Sequence, residues 1–298
     1  MSSREGVDLD PEEMEELRKL VEPLLSDGKS PYVCSIELAE RMKVSPRTLY
    51  RYIDRTDIDI PALKLKRKVR YKKRKKHDVY DRTNFDVSGH EYSDFLALPK
   101  ELQLKVTQGD TVEGYRTNSN RIFTLHRASA HFQFMQLIHD GTSKSIVETL
   151  DYFEQILGST DTFKRYFPVL LLDRGDEFSD VEGMERSCLD PKKKRCEVYF
   201  CDPRRPDQKG AAEKNHEHIR EILPKGRSNF DALNTYDIAT LCSNINSYVR
   251  ASLNGKTPYE CALEIYPKEF LDELGIIKIK KEEVQLNPLL LPHTQKRN

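Results

Sequence analysis

The sequence has no long apolar run. None of its stretches reaches the roughly 20 apolar residues that a helix needs to cross a bilayer. The start, MSSREGVDLDPEEMEELRKL, has no apolar segment behind a basic end. We therefore expect neither a membrane span nor a secretory leader, and we expect a soluble, cytoplasmic protein.

The chain also lacks net charge and closely paired cysteines. Lys plus Arg and Asp plus Glu both total 49, so the overall charge does not indicate a nucleic-acid partner. The six cysteines are scattered without the spacing of a zinc ribbon, which indicates reduced thiols. A zinc set of Cys196, Cys201, His216 and His218 is an alternative, but its C-x4-C and H-x-H spacings match structural sites poorly.

Charge is unevenly distributed along the 298 residues, a length that allows one medium domain and one or two small ones. Residues 64–76, KLKRKVRYKKRKK, contain ten Lys or Arg and no acid. Such a run can neutralise DNA phosphates, although a solvated linker or a localisation signal has the same composition.

Two short helices are predicted before this run. After an amphipathic helix over residues 10–26, capped by Asp10, the apolar positions Ile36, Leu38, Ala39 and Met42 predict a second helix. Lys43-Val44 is a turn, and Ser45-Pro46 begins a third helix that runs to about Ile53. This pattern is typical of a helix-turn-helix whose last helix enters the major groove, and also of an ordinary helical hairpin.

From about residue 104 the pattern changes to strands. Three runs rich in β-branched and aromatic residues, LKVTQGDTVEGY, RIFTLHRAS and FQFMQLIHD, predict an antiparallel meander. An amphipathic helix, SIVETLDYFEQILG, follows, and then come the buried strands PVLLLD and EVYFCDP and the helix KGAAEKNHEHIREILPKG. The order predicts a mixed sheet covered by helices.

Three acids fall at informative places in this pattern. Asp110 lies in the first strand, Asp173 ends a buried strand, and Glu213 lies in the first turns of the later helix. We expect them to converge at one edge of the sheet. Oxygen ligands suit hard cations such as Mg²⁺, and two such ions can promote displacement at a phosphodiester.

The motifs around these acids resemble a known family. The segments QGDTVEG, LLLDRGDEFSD, VYFCDPRRPDQKGAAEKNHEHIREILPKG and INSYVRASLNGKTPYECA are similar, in this order, to transposases of the bacterial insertion-sequence family numbered thirty. The resemblance covers roughly residues 30–265. It implies a ribonuclease-H-like integrase core, a catalytic and metal-binding triad of Asp110, Asp173 and Glu213, and two Mg²⁺ or Mn²⁺ ions. It also implies strand cleavage and joining on double-stranded DNA.

The resemblance and the pattern together give a complete expectation. The fold class is α+β (mixed α/β), with residues 1–30 as an N-terminal helix, 31–62 as the helix-turn-helix, 63–100 as a basic linker, 101–265 as the core and 266–298 as a tail. DNA-binding residues are predicted in the third helix, the basic run and the glutamate helix: Arg47, Thr48, Arg51, Lys64, Lys66, Arg67, Lys68, Arg70, Lys72, Lys73, Arg74, Lys209 and His216. We expect a homodimer or larger oligomer on element ends and target DNA in the nucleoid.

Some positions depart from the family pattern. Leu172 and Arg174 replace the usual neighbours of the metal-binding aspartate, and the loop of residues 204–208 lacks its usual aromatic residue. These departures favour the alternative function, a DNA-binding or regulatory descendant that does not cut. Glu113 is expected to be structural, and Asp176 and Glu177 are expected to begin a helix.

Overall fold

The computed structural model describes residues 9–65 and 85–295, which form helices around one mixed sheet. The strands are β1 (Thr107–Glu113), β2 (Arg121–Arg127), β3 (Phe132–Ile138), β4 (Val169–Leu172) and β5 (Glu197–Phe200). The helices are α1 (Pro11–Ser26), α2 (Pro31–Glu37), α3 (Pro46–Arg55), α4 (Tyr92–Ala97), α5 (Lys100–Leu104), α6 (Ser143–Leu157), α7 (Thr160–Tyr166), α8 (Val181–Glu185), α9 (Gly210–Ile222), α10 (Thr235–Ser247), α11 (Pro258–Ala262) and α12 (Lys268–Glu273). Within those two ranges, no helix combines the length and apolarity required to span a bilayer.

The five-stranded sheet has the order β3-β2-β1-β4-β5. Strands β1, β2 and β3 pair antiparallel, as the predicted meander requires, and β4 pairs parallel with both β1 and β5. The predicted mixed sheet with helices is therefore confirmed. The amphipathic helix α6 also matches its prediction, since it ends at Gly158, whose φ of 74° is the left-handed cap that glycine favours.

The first three helices share a small apolar core of their own. Leu17 and Val21 of α1, Cys34 of α2, and Leu49 and Tyr52 of α3 are all buried in it. Two side-chain caps fix the helix starts, since Asp10 accepts from the backbone of Glu13 and Ser45 from that of Thr48. A compact three-helix unit results, and DNA binding by it stays a prediction.

Helix α2 is shorter than predicted. Its hydrogen-bond ladder ends where the backbone of Leu38 donates to Cys34, and a separate turn follows, in which Met42 donates to Leu38. Met42 is buried in the three-helix core from this turn. Met42 is therefore buried from a turn and not from a longer α2. The segment between α2 and α3 is longer than the short turn expected.

Two segments predicted as linker and tail contribute to the folded core. Part of the predicted linker covers the edge strand β5, where the backbone of Phe200 donates to His90 and the ring of Phe85 packs 5.3 Å from that of Phe200. In the predicted tail, apolar residues are buried in the main core, namely Phe270, Leu271, Ile276, Val284, Leu286 and Leu291. The sheet domain therefore continues past residue 265.

The three-helix unit is attached to the sheet domain through α2 and the C-terminal segment. The backbone of Ser30 donates to Tyr248 Oη at 3.1 Å, and that of Leu286 donates to Asp27 at 3.1 Å. The ammonium of Lys29, which is fully buried, donates to the carbonyl of Lys281 and pairs with Glu37, each at 2.9 Å. Backbone and buried polar contacts thus join the two parts.

Candidate active site

Strand register brings Asp110 and Asp173 side by side. In the parallel pair, Thr107 faces Leu170 and Gln108 faces Leu171, so continuing by two residues sets Asp110 level with Asp173. Side chains two residues apart on a strand point to the same face. The two aspartates therefore leave adjacent strands on one side of the sheet, Asp110 from the middle of β1 and Asp173 directly after β4.

The ammonium of Lys209 joins the two carboxylates. Its Nζ lies 3.4 Å from Oδ2 of Asp110 and 3.2 Å from Oδ2 of Asp173, and it donates to the carbonyl of Gly109 at 3.0 Å. Since each oxygen is within 3.4 Å of one nitrogen, the two oxygens are less than twice that distance apart. The lysine side chain is only 6% exposed. The sequence placed Lys209 near phosphate, and its contact with both acids was not foreseen.

Glu213 lies on α9, between two residues that contact Asp110. Lys209 is the N-cap residue directly before α9, and His216 follows Glu213 on the helix by three positions, about one turn. The start of α9 is fixed to β1 because the backbone of Ala212 donates to Oε1 of Gln108 at 3.0 Å. Glu213 itself is exposed.

His216 lies near the same oxygen of Asp110 as Lys209 does. Its Nδ1 lies 3.7 Å from Oδ2 of Asp110, and its Nε2 lies 2.9 Å from Oγ1 of Thr124. The single hydroxyl hydrogen of Thr124 is donated to the carbonyl of Asp110, so Nε2 of His216 must be the donor to Thr124. Burial lowers the pKa of His216 to about 4, and nearby Lys209 and Arg220 act in the same direction. The imidazole is therefore neutral at pH 7.

Burial is also the main influence on Asp110. It raises the pKa of this carboxyl from 3.8 to about 6, Lys209 opposes the shift and Asp173 adds to it. Because burial disfavours the ionised form of this carboxyl, a nearby cation stabilises it. The electrostatics of the pocket thus attract positive charge.

The residues fit a divalent metal at the two aspartates. The ammonium of Lys209 is already a cation held by both carboxylates, which shows that their oxygens converge on one position. The third acid is not in ligating contact with them. Within residues 9–65 and 85–295, the one group of three ligand residues with atoms within 4.8 Å of one another is Asp151, Glu154 and Cys188.

That second acidic cluster already contains a cation. The buried guanidinium of Arg195 pairs with Asp151 and with Glu154, and the latter also accepts from Oγ of Ser187 and from the backbone of Cys188. The cluster is a buried structural network. The zinc alternative gains no support, since among the described residues Cys196, Cys201, His216 and His218 belong to no such group.

The unusual neighbours of Asp173 have structural partners. Leu172 is buried, and a Cβ at position 109 would collide with its Cδ2, so Gly109 leaves the space that Leu172 fills. Arg174 points toward β5, where its Nε donates to the carbonyl of Cys201 at 3.2 Å. These departures from the family pattern are accommodated next to the carboxylates without occupying the space between them.

One acid near Asp173 was underrated by sequence reasoning. Glu177 lies in a 3₁₀ turn, Asp176–Phe178, where a helix start was expected, and its Oε1 also accepts from Oγ1 of Thr111 at 2.6 Å. A Cβ on Gly175 would lie 2.5 Å from Oε2 of Glu177 and 3.1 Å from Oδ1 of Asp173. The glycine therefore allows a fourth carboxylate to lie beside Asp173. Its spacing from Asp173 in the sequence was the available signal.

Glu113 has the structural contacts expected of it. Its carboxylate pairs with Arg121 at 3.2 Å, and its carbonyl accepts from Arg220 at 2.8 Å. The basic loop of residues 190–195, just before β5, also has ion pairs with acids elsewhere in the chain. Lys193 pairs with Asp161 at 2.8 Å and Lys194 with Glu185 at 2.6 Å.

The predicted DNA-binding residues of α3 are partly accessible. Arg47 is exposed, Thr48 and Arg51 are half-buried, and the guanidinium carbon of Arg51 lies 5.6 Å from the ring centre of Tyr52. Lys64 pairs with Glu22 at 2.6 Å. The remaining predicted residues of the basic run lie outside the described residues: Lys66, Arg67, Lys68, Arg70, Lys72, Lys73 and Arg74.

Comparison with known proteins finds a short sequence match to a transposase. No protein-family model matches the chain. Over 68 residues it is 29% identical to the transposase for insertion sequence element IS1086 of Cupriavidus metallidurans, a match that covers 23% of this chain and 20% of that relative. The matched part is thus a fifth of the relative's length.

Solved structures that align with part of this chain include two from retroviral proteins. The catalytic core of BIV integrase aligns with a TM-score of 0.38 and 19% identity, over 54% of this chain and 94% of that one. A chain of the simian T-cell lymphotropic virus intasome, solved with a PP2A regulatory subunit, aligns with a TM-score of 0.40 and 16% identity, over 52% and 53%. At TM-scores this low, neither likeness carries an argument.

Proposed function

We propose that this protein is a transposase that binds the ends of a mobile DNA element and carries out metal-dependent cleavage and strand transfer. The observation that carries the proposal is the pair of carboxylates, Asp110 and Asp173, that leave adjacent parallel strands and hold one buried cation between them. The short sequence match to a transposase supports it. We further propose that the sheet domain is a ribonuclease-H-like integrase core.

In this proposal, Asp110, Asp173 and Glu213 hold the metal ions, Mg²⁺ or Mn²⁺. When bound, two such ions activate an attacking hydroxyl and stabilise the leaving oxygen of a phosphodiester. Glu213 is exposed and precedes His216 by one turn of α9. The proposal requires its carboxylate to turn toward the aspartates when the ions bind.

The other residues of the site orient DNA. Lys209 supplies a positive charge for a phosphate oxygen, and neutral His216 supplies a hydrogen-bonding ring held in place by Thr124. Arg47, Thr48 and Arg51 of α3 contact base edges, while the basic run at residues 64–76 neutralises phosphates. We propose that the protein acts as a homodimer or larger oligomer on two element ends, in the cytoplasm on nucleoid DNA.

A second function is a DNA-binding descendant that does not cut. One observation favours it: the carboxylate of Glu213 does not join those of Asp110 and Asp173 in a group with atoms within 4.8 Å of one another. Such a protein keeps its DNA-binding helices and loses only the chemistry. A single assay distinguishes the two functions.

The assay is nicking and joining with the full chain. The substrate is a duplex that ends in the inverted repeats flanking the coding sequence, with a plasmid as target and Mn²⁺ or Mg²⁺ present. The transposase proposal expects a nick at the element end that leaves a 3′-hydroxyl, followed by its joining to the plasmid. A duplex with scrambled ends is the control. Tight binding to the true ends, with neither nick nor joint, supports the binder and overturns the enzyme.

A further inference from the structure

Lys209 lies where a metal ion shared by the two aspartates would lie. Its Nζ is 3.4 Å from Asp110 and 3.2 Å from Asp173, and its side chain is 6% exposed. A Mg²⁺ ion bound by both carboxylates would lie roughly 2 Å from each oxygen. The ion and the ammonium would therefore face one another inside the same small cleft. Two cations this close in a buried site repel strongly.

We propose that Lys209 is a built-in counter-ion that the metal displaces, and that its displaced ammonium then contacts a DNA phosphate. This inference rests on the proposed function and adds an order to it: metal first, phosphate contact by Lys209 second. Without metal, the ammonium compensates two neighbouring carboxylates that would otherwise repel each other. Lys209 is thus a positioning residue whose partner changes when the site is loaded.

The local structure allows this exchange. Lysine carries its charge on a flexible four-carbon stem, so the ammonium moves without the backbone. Lys209 ends a short 3₁₀ turn, Pro206–Lys209, directly before α9. At the next residue, Gly210, a Cβ would meet no atom within 4 Å, so the space beside the turn is open.

The charge balance gives the direction of the effect. In the free protein Lys209 offers one positive charge and three donor hydrogens to Asp110, Asp173 and the carbonyl of Gly109. An arriving divalent ion has to break these contacts before it binds. Removing the ammonium should therefore tighten metal binding, whereas removal of an ordinary metal-site residue weakens it.

The first test measures Mn²⁺ binding to the full chain without DNA, by calorimetry and by electron paramagnetic resonance of free Mn²⁺. We expect Lys209→Met to bind with a dissociation constant lower than that of the unmodified protein by at least about tenfold. Lys209→Arg, which keeps the charge, should remain near the unmodified value. Lys214→Met is the matched control, because Lys214 is an exposed lysine on α9, and it should not change the dissociation constant for Mn²⁺.

A second test needs no variant and so does not depend on the folding of one. An amine-acylating reagent is applied to the unmodified protein, and modification of each lysine is measured by mass spectrometry. Lys209 should be protected in the free protein, become at least about fivefold more reactive with Mn²⁺, and be protected again when the element-end duplex is added. Lys214 reports any general change in reactivity.

The outcomes separate this inference from the proposed function. Equal or weaker Mn²⁺ binding by Lys209→Met, or unchanged acylation of Lys209 with bound Mn²⁺, overturns the inference and leaves strand cleavage intact. If neither protein binds Mn²⁺, the metal site is wrong and both proposals fall. Tighter binding by Lys209→Met, together with no nicking by the metal-loaded unmodified protein, supports the counter-ion and overturns the transposase.

Discussion

Oγ1 of Thr111 donates a 2.6 Å hydrogen bond to Oε1 of Glu177. Thr111 follows Asp110 on β1, and Glu177 lies in the turn after Asp173, so this bond ties the segments that carry the two aspartates. The bond fixes β1 at Thr111 relative to the loop that follows β4. The bond makes the geometry of the site depend on a residue whose expected role was only to begin a helix.

This bond predicts different outcomes for two substitutions. Glu177→Gln keeps an amide oxygen that accepts from Thr111, so cleavage should fall by less than about tenfold and stability should be nearly unchanged. Thr111→Val removes the donor and should lower the free energy of unfolding by about 1 kcal/mol. Urea unfolding and a nicking assay measure the two effects. If Glu177→Gln were as inactive as Asp173→Asn, Glu177 would be a metal ligand instead.

Asp110 predicts a dependence of stability on pH in the metal-free protein. Burial raises the folded-state pKa of Asp110 from 3.8 to about 6. A raised pKa means that the folded state holds the proton more tightly, so this contribution is complete below pH 3.8 and is lost as pH rises through 6. The Asp110→Asn variant lacks this pH-dependent contribution to stability.

The stability of Asp110→Asn relative to the unmodified protein should therefore increase between pH 4 and pH 7. Thermal unfolding of both proteins, with a metal chelator present, measures the difference at each pH. Comparing the two proteins cancels the contribution of His216, whose lowered pKa has the opposite slope in this range. A constant difference across this range would mean that Asp110 is ionised as easily as an exposed aspartate.

The buried pair of Lys29 and Glu37 predicts a large loss of stability. Their charged atoms are 2.9 Å apart, and the two side chains are 0% and 9% exposed. Burial raises the pKa of Glu37, and Lys29 opposes that shift. Lys29→Met leaves this carboxylate without its partner and should cost about 3–5 kcal/mol.

The double variant Lys29→Met with Glu37→Leu should recover at least half of that loss, since no charge stays buried. Lys43→Met is the control, because Lys43 pairs with Glu13 at the surface, 3.4 Å away with a side chain 73% exposed. It should cost less than about 1 kcal/mol. Urea unfolding of the full chain measures all three. A loss no larger for Lys29→Met than for Lys43→Met would contradict the importance of the pair.

The exposed face of α3 predicts sequence preference in DNA binding. Arg47→Ala and Arg51→Ala should each weaken binding to the element-end duplex by about 1–3 kcal/mol and weaken binding to random duplex less. Lys19→Ala is the control, on α1 with a side chain 69% exposed. Fluorescence anisotropy measures the affinity of each variant and of the unmodified protein for both duplexes. Equal losses on both duplexes would show that α3 only positions the protein.

The basic run should behave differently from α3. If residues 64–76 neutralise about six phosphates, the slope of log affinity against log salt should be near −5 for the full chain. Deleting that run should flatten the slope on both duplexes while the preference between them persists. An unchanged slope would assign the phosphate contacts to another surface.

Local pattern was sufficient for several elements of the sheet domain. Helix α6 was predicted from apolar periodicity, and the three antiparallel strands from runs rich in β-branched and aromatic residues. The convergence of Asp110 and Asp173 was expected from their places in the first strand and at the end of a buried strand.

Long-range contacts account for what the sequence did not predict. The C-terminal segment buries single apolar side chains such as Phe270 and Val284 without a regular period, so it resembled a tail. The bridge from Lys209 to both aspartates and the burial of Arg195 among acids depend on which elements meet. Charged residues of these types are usually exposed, and only the folded arrangement shows that these two are buried.

The most direct measurement of the central claim is strand cleavage by variants of the three acids. Asp110→Asn, Asp173→Asn and Glu213→Gln each keep the side-chain shape and remove the negative charge that holds a divalent ion. The assay measures nicking and joining of element-end DNA with Mn²⁺, beside the affinity of each variant for the same DNA. The account predicts full DNA binding and no cleavage by all three, whereas the unmodified protein cuts and joins. Cleavage at an unchanged rate by any one of the three variants would contradict it.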